Sequence, residues 1–298
     1  MVFDGVAALL VQPFSEFAFM RRALVAVVAL ALGAAPLGCL LVLRRMSLMG
    51  DAMAHALLPG AAVGYIAAGL SVTAMSAGGF VAALAVALLA GAVTRRTGQR
   101  EDASFAAFYL IALALGVLLI STHGSSVDLM HVLFGSVLAV DDAALILVAV
   151  VASVTLLLLA LLYRPLVVES FDAQFLQSVR GSGALGHGVL LVLTVANLVG
   201  GFQAMGTLMA VGLMMLPAIA ARFWVRDLEH LMALAALIAA LSGWAGLLLS
   251  FHADLPSGPA IVLVAGAVYL VSLLAGRHDG LLRRPRVSPG PRTEPSSC

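Results

Sequence analysis

An aspartate and a histidine four residues apart, Asp51 and His55, stand in the otherwise apolar run RRMSLMGDAMAHALLPG (Arg44–Gly60). On a helix, positions i and i+4 share one face. A carboxylate and an imidazole on one face form half of a divalent-cation site. Two ligands do not fill a metal's coordination shell. A second copy on a two-fold axis would supply two Asp and two His. A plainer use stays open: Asp51 caps the start of its helix and His55 bonds a neighbouring carbonyl. Three methionines, Met46, Met49 and Met53, lie beside the pair. Thioethers are soft ligands, but helical packing is their commoner use. A second group, His123, Asp128 and His131, has Asp128 and His131 at i, i+3. It reads either as a solvated loop with an interfacial histidine or as further ligands.

The elements that must position these groups follow from composition. The chain has 298 residues, of which 62% are hydrophobic and 10% charged, far below the roughly 25% charge of a soluble domain. Several apolar runs reach the roughly 20 residues that a membrane-spanning helix needs. The expected fold is all-α and polytopic, with about nine transmembrane helices (eight to ten). The spans fall near residues 19–43, 50–70, 73–93, 103–121, 143–163, 185–199, 204–223, 228–251 and 260–275. Residues 1–17 suit a short surface helix, and residues 122–140 are too broken by glycine for a full span. An ionisable group at membrane depth is expensive, which marks Asp51 and His55 as functional candidates. Pro59 removes the amide that would bond back to His55 and predicts a break in the second span. Broken helices expose carbonyls to ions in transporters. Asn197 and Gln203 read as interhelical hydrogen-bonding groups.

All sixteen basic residues are arginine. Without lysine there is no Walker A loop, so any ATP hydrolysis belongs to a partner. HExxH is absent, which removes support for a zinc-dependent intramembrane protease. No nucleophile–base set stands out. Cys39 lies in a span and Cys298 is the last residue, so no disulfide is expected. Arg21 and Arg22 precede an apolar run too long for a signal-peptide core, so no signal peptide is expected. With alternating spans, one side collects fourteen arginines and the other only Arg21 and Arg22. The positive-inside rule then places the amino terminus outside and the carboxyl terminus in the cytosol. Residues 1–276 form the expected membrane domain, and the Arg- and Pro-rich residues 277–298 a disordered cytosolic tail.

The largest polar insert of the second half, Arg164–Gly183, is then cytosolic. Ser170 is the expected N-cap of a short helix from Phe171 to Val179, with Asp172 in its first turn. Phe171, Phe175 and Val179 would share its apolar face. Such a helix either lies on the membrane or docks into a groove of a soluble partner.

The chain resembles the integral-membrane permeases of ABC importers for zinc and manganese. The resemblance covers nearly the whole chain. It rests on FMRRAL (Phe19–Leu24), RRMSLMGDAMAHALLPGAAVG (Arg44–Gly64), EDASFAAFYLIALALGVLLIS (Glu101–Ser121), LMHVLFGSVLAV (Leu129–Val140), ESFDAQF (Glu169–Phe175) and DLPSGPAIVLVA (Asp254–Ala265). It implies a type II importer-like permease in the bacterial inner membrane, working as a homodimer with a cytosolic ATP-binding subunit and an extracytoplasmic metal-binding receptor. It implies that Asp51 and His55 line the ion path, and that Phe171, Asp172 and Phe175 belong to the helix coupled to the ATPase. No cofactor is expected to be held permanently; the transported zinc or manganese is the cargo. Two other readings remain at this stage. One is a secondary, ATP-independent metal transporter, against which the cytosolic insert argues. The other is a permease for a metal chelate such as a siderophore, which would want a wide polar cavity.

Overall fold

The computed structural model describes residues 10–69, 71–97, 101–122, 140–171, 184–278 and 280–282. Among them, after a short helical piece at 10–16, ten helices follow one another. They are α1 Ala18–Leu43, α2 Met49–Ala68, α3 Val72–Thr97, α4 Glu101–Thr122 and α5 Asp142–Leu161. Then come α6 Tyr163–Phe171, α7 Ala184–Met205, α8 Thr207–Arg222, α9 Leu228–Ala253 and α10 Ser257–Ala275. The all-α expectation holds.

Six of the helices are long and apolar enough to cross a membrane: α1, α3, α5, α7, α9 and α10. Residues 103–119 of α4 and the whole of α8 are apolar but shorter. α2 is not among the six, because Asp51, His55, Pro59 and its glycines dilute its hydropathy. The expected count of about nine is thus met only in its coarser form, a polytopic helical protein.

α1 is the central post. It packs against α5, α7, α8 and α9, and 72% of its most apolar stretch is buried. In α5 and α10 that share is only 28%. Their outward residues are nevertheless large and apolar, among them Ile146, Val150, Leu157, Leu263 and Leu270. An apolar surface of that extent belongs in lipid. α2 and α3 form a hairpin, with α4 against α2 and α3. α8 and α9 pack on α1, and α8, α9 and α10 pack on one another.

Small residues set these distances. A methyl group added at Gly60 would collide with the backbone carbonyl of Gly78, and one at Gly78 with that of Gly60; one at Gly64 would strike the carbonyl of Ala74. The α2 and α3 backbones therefore touch directly, as small residues allow in membranes. A buried polar link ties α7 to α5. Asn197 donates from Nδ2 to Thr155 Oγ1 at 2.7 Å and to the Leu193 carbonyl at 2.9 Å. This is the interhelical role expected for Asn197. At one end of the bundle Asp141 caps α5, accepting from the Ala144 amide at 2.8 Å. Arg22 pairs with Asp142 at 3.1 Å, but both are well exposed, so the pair adds little stability.

A helix that was not expected precedes the one expected over 171–179, which past Phe171 lies outside the described residues. α6 starts at Tyr163, directly after Leu162, so Ser170 lies within a helix and is not an N-cap. Pro165 occupies the first turn of α6, where its missing amide is not needed. Leu166 is buried against the bundle. Burial, and then the neighbouring Glu229 carboxylate, which accepts a hydrogen bond from it, push the Tyr163 hydroxyl above its ordinary pKa.

Candidate metal path

α2 begins after a tight connection in which Arg45 adopts φ 60°. The Met46 amide bonds to the Leu41 carbonyl at 2.9 Å, turning the chain back into the bundle. Asp51 falls in the first turn of α2, where the helix dipole favours a carboxylate. Leu48 is the N-cap residue and no side chain caps this end, so Asp51 has no capping role here. One turn on, His55 Nε2 sits 3.5 Å from Asp51 Oδ1. The spacing has placed both groups on one face. The Asp51 side chain is 60% exposed and that of His55 31%.

The pair opens onto a cavity of about 300 Å³. Its other walls are Thr207, Leu208, Val211 and Gly212 of α8 and Val262 of α10. Gly212 lets α10 come close, since a methyl there would lie 2.8 Å from Val262 Cγ2. Tyr109 of α4 stacks on the His55 ring, with centroids 5.9 Å apart and planes at 27°. His55 Nδ1 is buried and has no hydrogen-bond partner. The imidazole is therefore oriented by stacking on one side and by Asp51 on the other. Pro59 follows one turn later against α4, where a methyl added at Gly116 would lie 3.0 Å from the Pro59 nitrogen.

Two ligands from one chain leave a cation's shell unfilled. Among the described residues no three His, Cys, Asp or Glu side chains gather into a metal-binding group. Met46, Met49 and Met53 are buried in the core, which is their packing role. Cys39 is likewise buried in α1. A larger cavity of about 610 Å³ lies between α3, α5 and α7, but its polar lining is limited to neutral groups such as Thr73, Ser76 and Gln203. A bare divalent ion has no charged partner there. His123, Asp128 and His131 lie outside the described residues, as do Asp172 and Phe175. Phe171 is the last residue of α6.

Tyr109 and Thr207 were not singled out from sequence. Thr207 carried a signal: a hydroxyl after a glycine, Gly206, whose φ of 91° marks the turn between α7 and α8. Tyr109 carried none, since one aromatic in an apolar helix does not reveal what it stacks on.

Comparison with known proteins gives the family. Residues 16–276 match the family described as the ABC 3 transport family. The manganese import system permease protein ScaB of Streptococcus parasanguinis is 33% identical over 262 residues, covering 88% of this chain and 92% of ScaB. The manganese transport system membrane protein MntC of Listeria monocytogenes is 31% identical over 274 residues, covering 92% and 96%. A solved structure of PsaBC from Streptococcus pneumoniae in complex with Fab has TM-score 0.81 and 30% identity, covering 93% of this chain and 98% of that one. The chain belongs to the ABC 3 transport family: it is a multi-pass membrane permease and not an enzyme, with ATP hydrolysis carried by a separate subunit.

Proposed function

We propose that this permease imports a divalent transition-metal ion, manganese first, through a path lined by Asp51 and His55. The observation that carries the reading is the Asp51–His55 pair, 3.5 Å apart at the mouth of a cavity in an otherwise apolar bundle. The relatives named for manganese support the choice of ion. A carboxylate oxygen and an imidazole nitrogen without thiolate suit manganese, zinc or iron(II) better than copper(I). Two copies of the chain, related by a two-fold axis, would bring two such pairs to one ion. Weak, shared coordination suits a site that must also let go. Protonating His55 would withdraw its lone pair from the ion.

The remaining parts follow the same reading. Nine crossings put the amino terminus outside and the carboxyl terminus in the cytosol. A receptor delivers the ion to the outer mouth. The ATP-binding subunit engages the segment with Phe171, Asp172 and Phe175, and its cycle alternates access to the path. Residues 1–276 form the permease domain and residues 277–298 a cytosolic tail. Reconstituted with receptor and ATPase, Asp51→Ala and His55→Ala should each lower manganese uptake at least about tenfold, the loss of roughly 1.4 kcal/mol of ion binding, with the transporter still assembled. Wild-type uptake in both variants would overturn the assignment.

A further inference from the structure

α7 packs on α3 and on α5, while α3 and α5 make no substantial contact with each other. The three helices form a trough, with α7 as its floor and α3 and α5 as its walls, around the cavity of about 610 Å³. That size lies within the roughly 300–1,000 Å³ of ligand pockets. The α3 wall is Thr73, Ser76, Ala77 and Phe80, one face at i, i+3, i+4 and i+7. Thr73 and Ala143 stand at the starts of α3 and α5, and Gln203 near the end of α7, so the trough begins at the Asp141 end of the bundle. From Thr73 to Phe80 it runs about 10 Å along the helix, at roughly 1.5 Å per residue. One leaflet of a bilayer has about 15 Å of hydrocarbon, so the trough spans most of that depth.

The lining is graded. Its polar side chains, Thr73, Ser76 and Gln203, lie within a turn of the Asp141 end. Deeper in, at Phe80, Val151 and Ala196, the walls are hydrocarbon. No charged side chain is among the described residues that line it. Ile146 and Val150 line the cavity and are also 63% and 53% exposed, so its mouth opens sideways onto the lipid-facing surface. The walls do not close on this space. α3 is held on its opposite face by the backbone contact of Gly78 with Gly60, and α5 is tied to α7 by the Asn197–Thr155 hydrogen bond. An unfilled space deprives the side chains around it of dispersion partners. Water is a poor filler, because a buried water needs roughly two to four polar partners and the deep part offers none.

We propose that this trough binds one acyl chain of a membrane phospholipid, which enters between α3 and α5. The Thr73 and Ser76 hydroxyls and the Gln203 amide then lie beside the glycerol ester oxygens. Hydroxyl and amide groups donate and ester carbonyls accept, and a neutral lining suits an ester rather than a phosphate. The chain fills the deep hydrocarbon part, continuous with the lipid outside.

The test is photolabelling of the assembled transporter in nanodiscs that contain a trace of phosphatidylethanolamine with a diazirine midway along one acyl chain. Lipid in passing contact marks every outward helix, so Leu263 and Leu270 of α10, both exposed, are the reference. Labelling at Phe80, Val151 and Ala196 should exceed that reference about tenfold, a preference of roughly 1.4 kcal/mol for the trough over bulk lipid. Ala77→Phe, filling the trough from a wall, should remove the excess and leave α10 labelling unchanged. Ala196→Phe, filling it from the floor, should do the same. Wild-type labelling no higher in the trough than on α10 would overturn the proposal. So would an excess that survives either substitution in assembled transporter, which would place the chain outside the trough. Manganese uptake is not the readout, so the outcome is independent of the metal path.

Discussion

Two buried or half-buried polar residues of this permease do different work. Asn197 is a structural link: its amide spans α7 to α5 through Thr155, and no ionisable group shares the contact. Asn197→Ala should reduce stability by about 1–2 kcal/mol, because Thr155 can turn its hydroxyl to a carbonyl of its own helix. A melting temperature lower by a few degrees, with ion uptake per folded molecule unchanged, is the expected result. His55 is the opposite case. Its Nδ1 has no partner and its Nε2 faces a carboxylate that is more exposed than itself. Tyr109 holds the ring by stacking alone. Tyr109→Phe should therefore keep uptake near wild type, whereas Tyr109→Ala should raise the KM for manganese several-fold, as measured in proteoliposomes. An equal rise in KM for the two substitutions would place the role of Tyr109 in its hydroxyl.

At the scale of helices, glycines sort into two kinds by what surrounds them. Gly60 and Gly78 face each other's backbone, so Gly60→Ala or Gly78→Ala forces α2 and α3 apart. Each should reduce stability by about 1–3 kcal/mol, as overpacking does. Gly266 in α10 has open space around it, and Gly266→Ala should stabilise by up to about 1 kcal/mol through helix propensity. Thermal unfolding in detergent separates the two classes. The small-residue pattern of α2 was legible in sequence, and so were the starts of α5 and α9, because apolar length and polar flanks mark them. α6 itself was not expected, and the helix expected over 171–179 lies, past Phe171, outside the described residues. Ser170 and Asp172 look like a helix start, but Leu162 leaves almost no gap after α5 and Pro165 is at home in a first turn. The i, i+4 face of Asp51 and His55 was readable because it is local. The stacking of Tyr109 on His55 and the place of Thr207 in the shared cavity were not, since they join helices distant in sequence, and periodicity carries no information about which faces meet.

For the molecule as a whole, the two cysteines offer a measurement of orientation. Cys39 is buried in α1, out of reach of a water-borne reagent. Cys298, the last residue, is the remaining thiol. A membrane-impermeant maleimide should label Cys298 in inverted vesicles and leave right-side-out vesicles unmodified; the reverse pattern would place the carboxyl terminus outside. The central position of α1 bears on assembly too. Its burial against α5, α7, α8 and α9 leaves most of the outward surface of the bundle to the more exposed helices.

The bare contact between Gly60 and Gly78 reaches further than packing. Side chains that interlock can hop between rotamers and let neighbouring helices slip; two peptide backbones pressed together have no such play. The α2–α3 hairpin is thereby stiff, and any movement of α2 must drag α3 through the same arc.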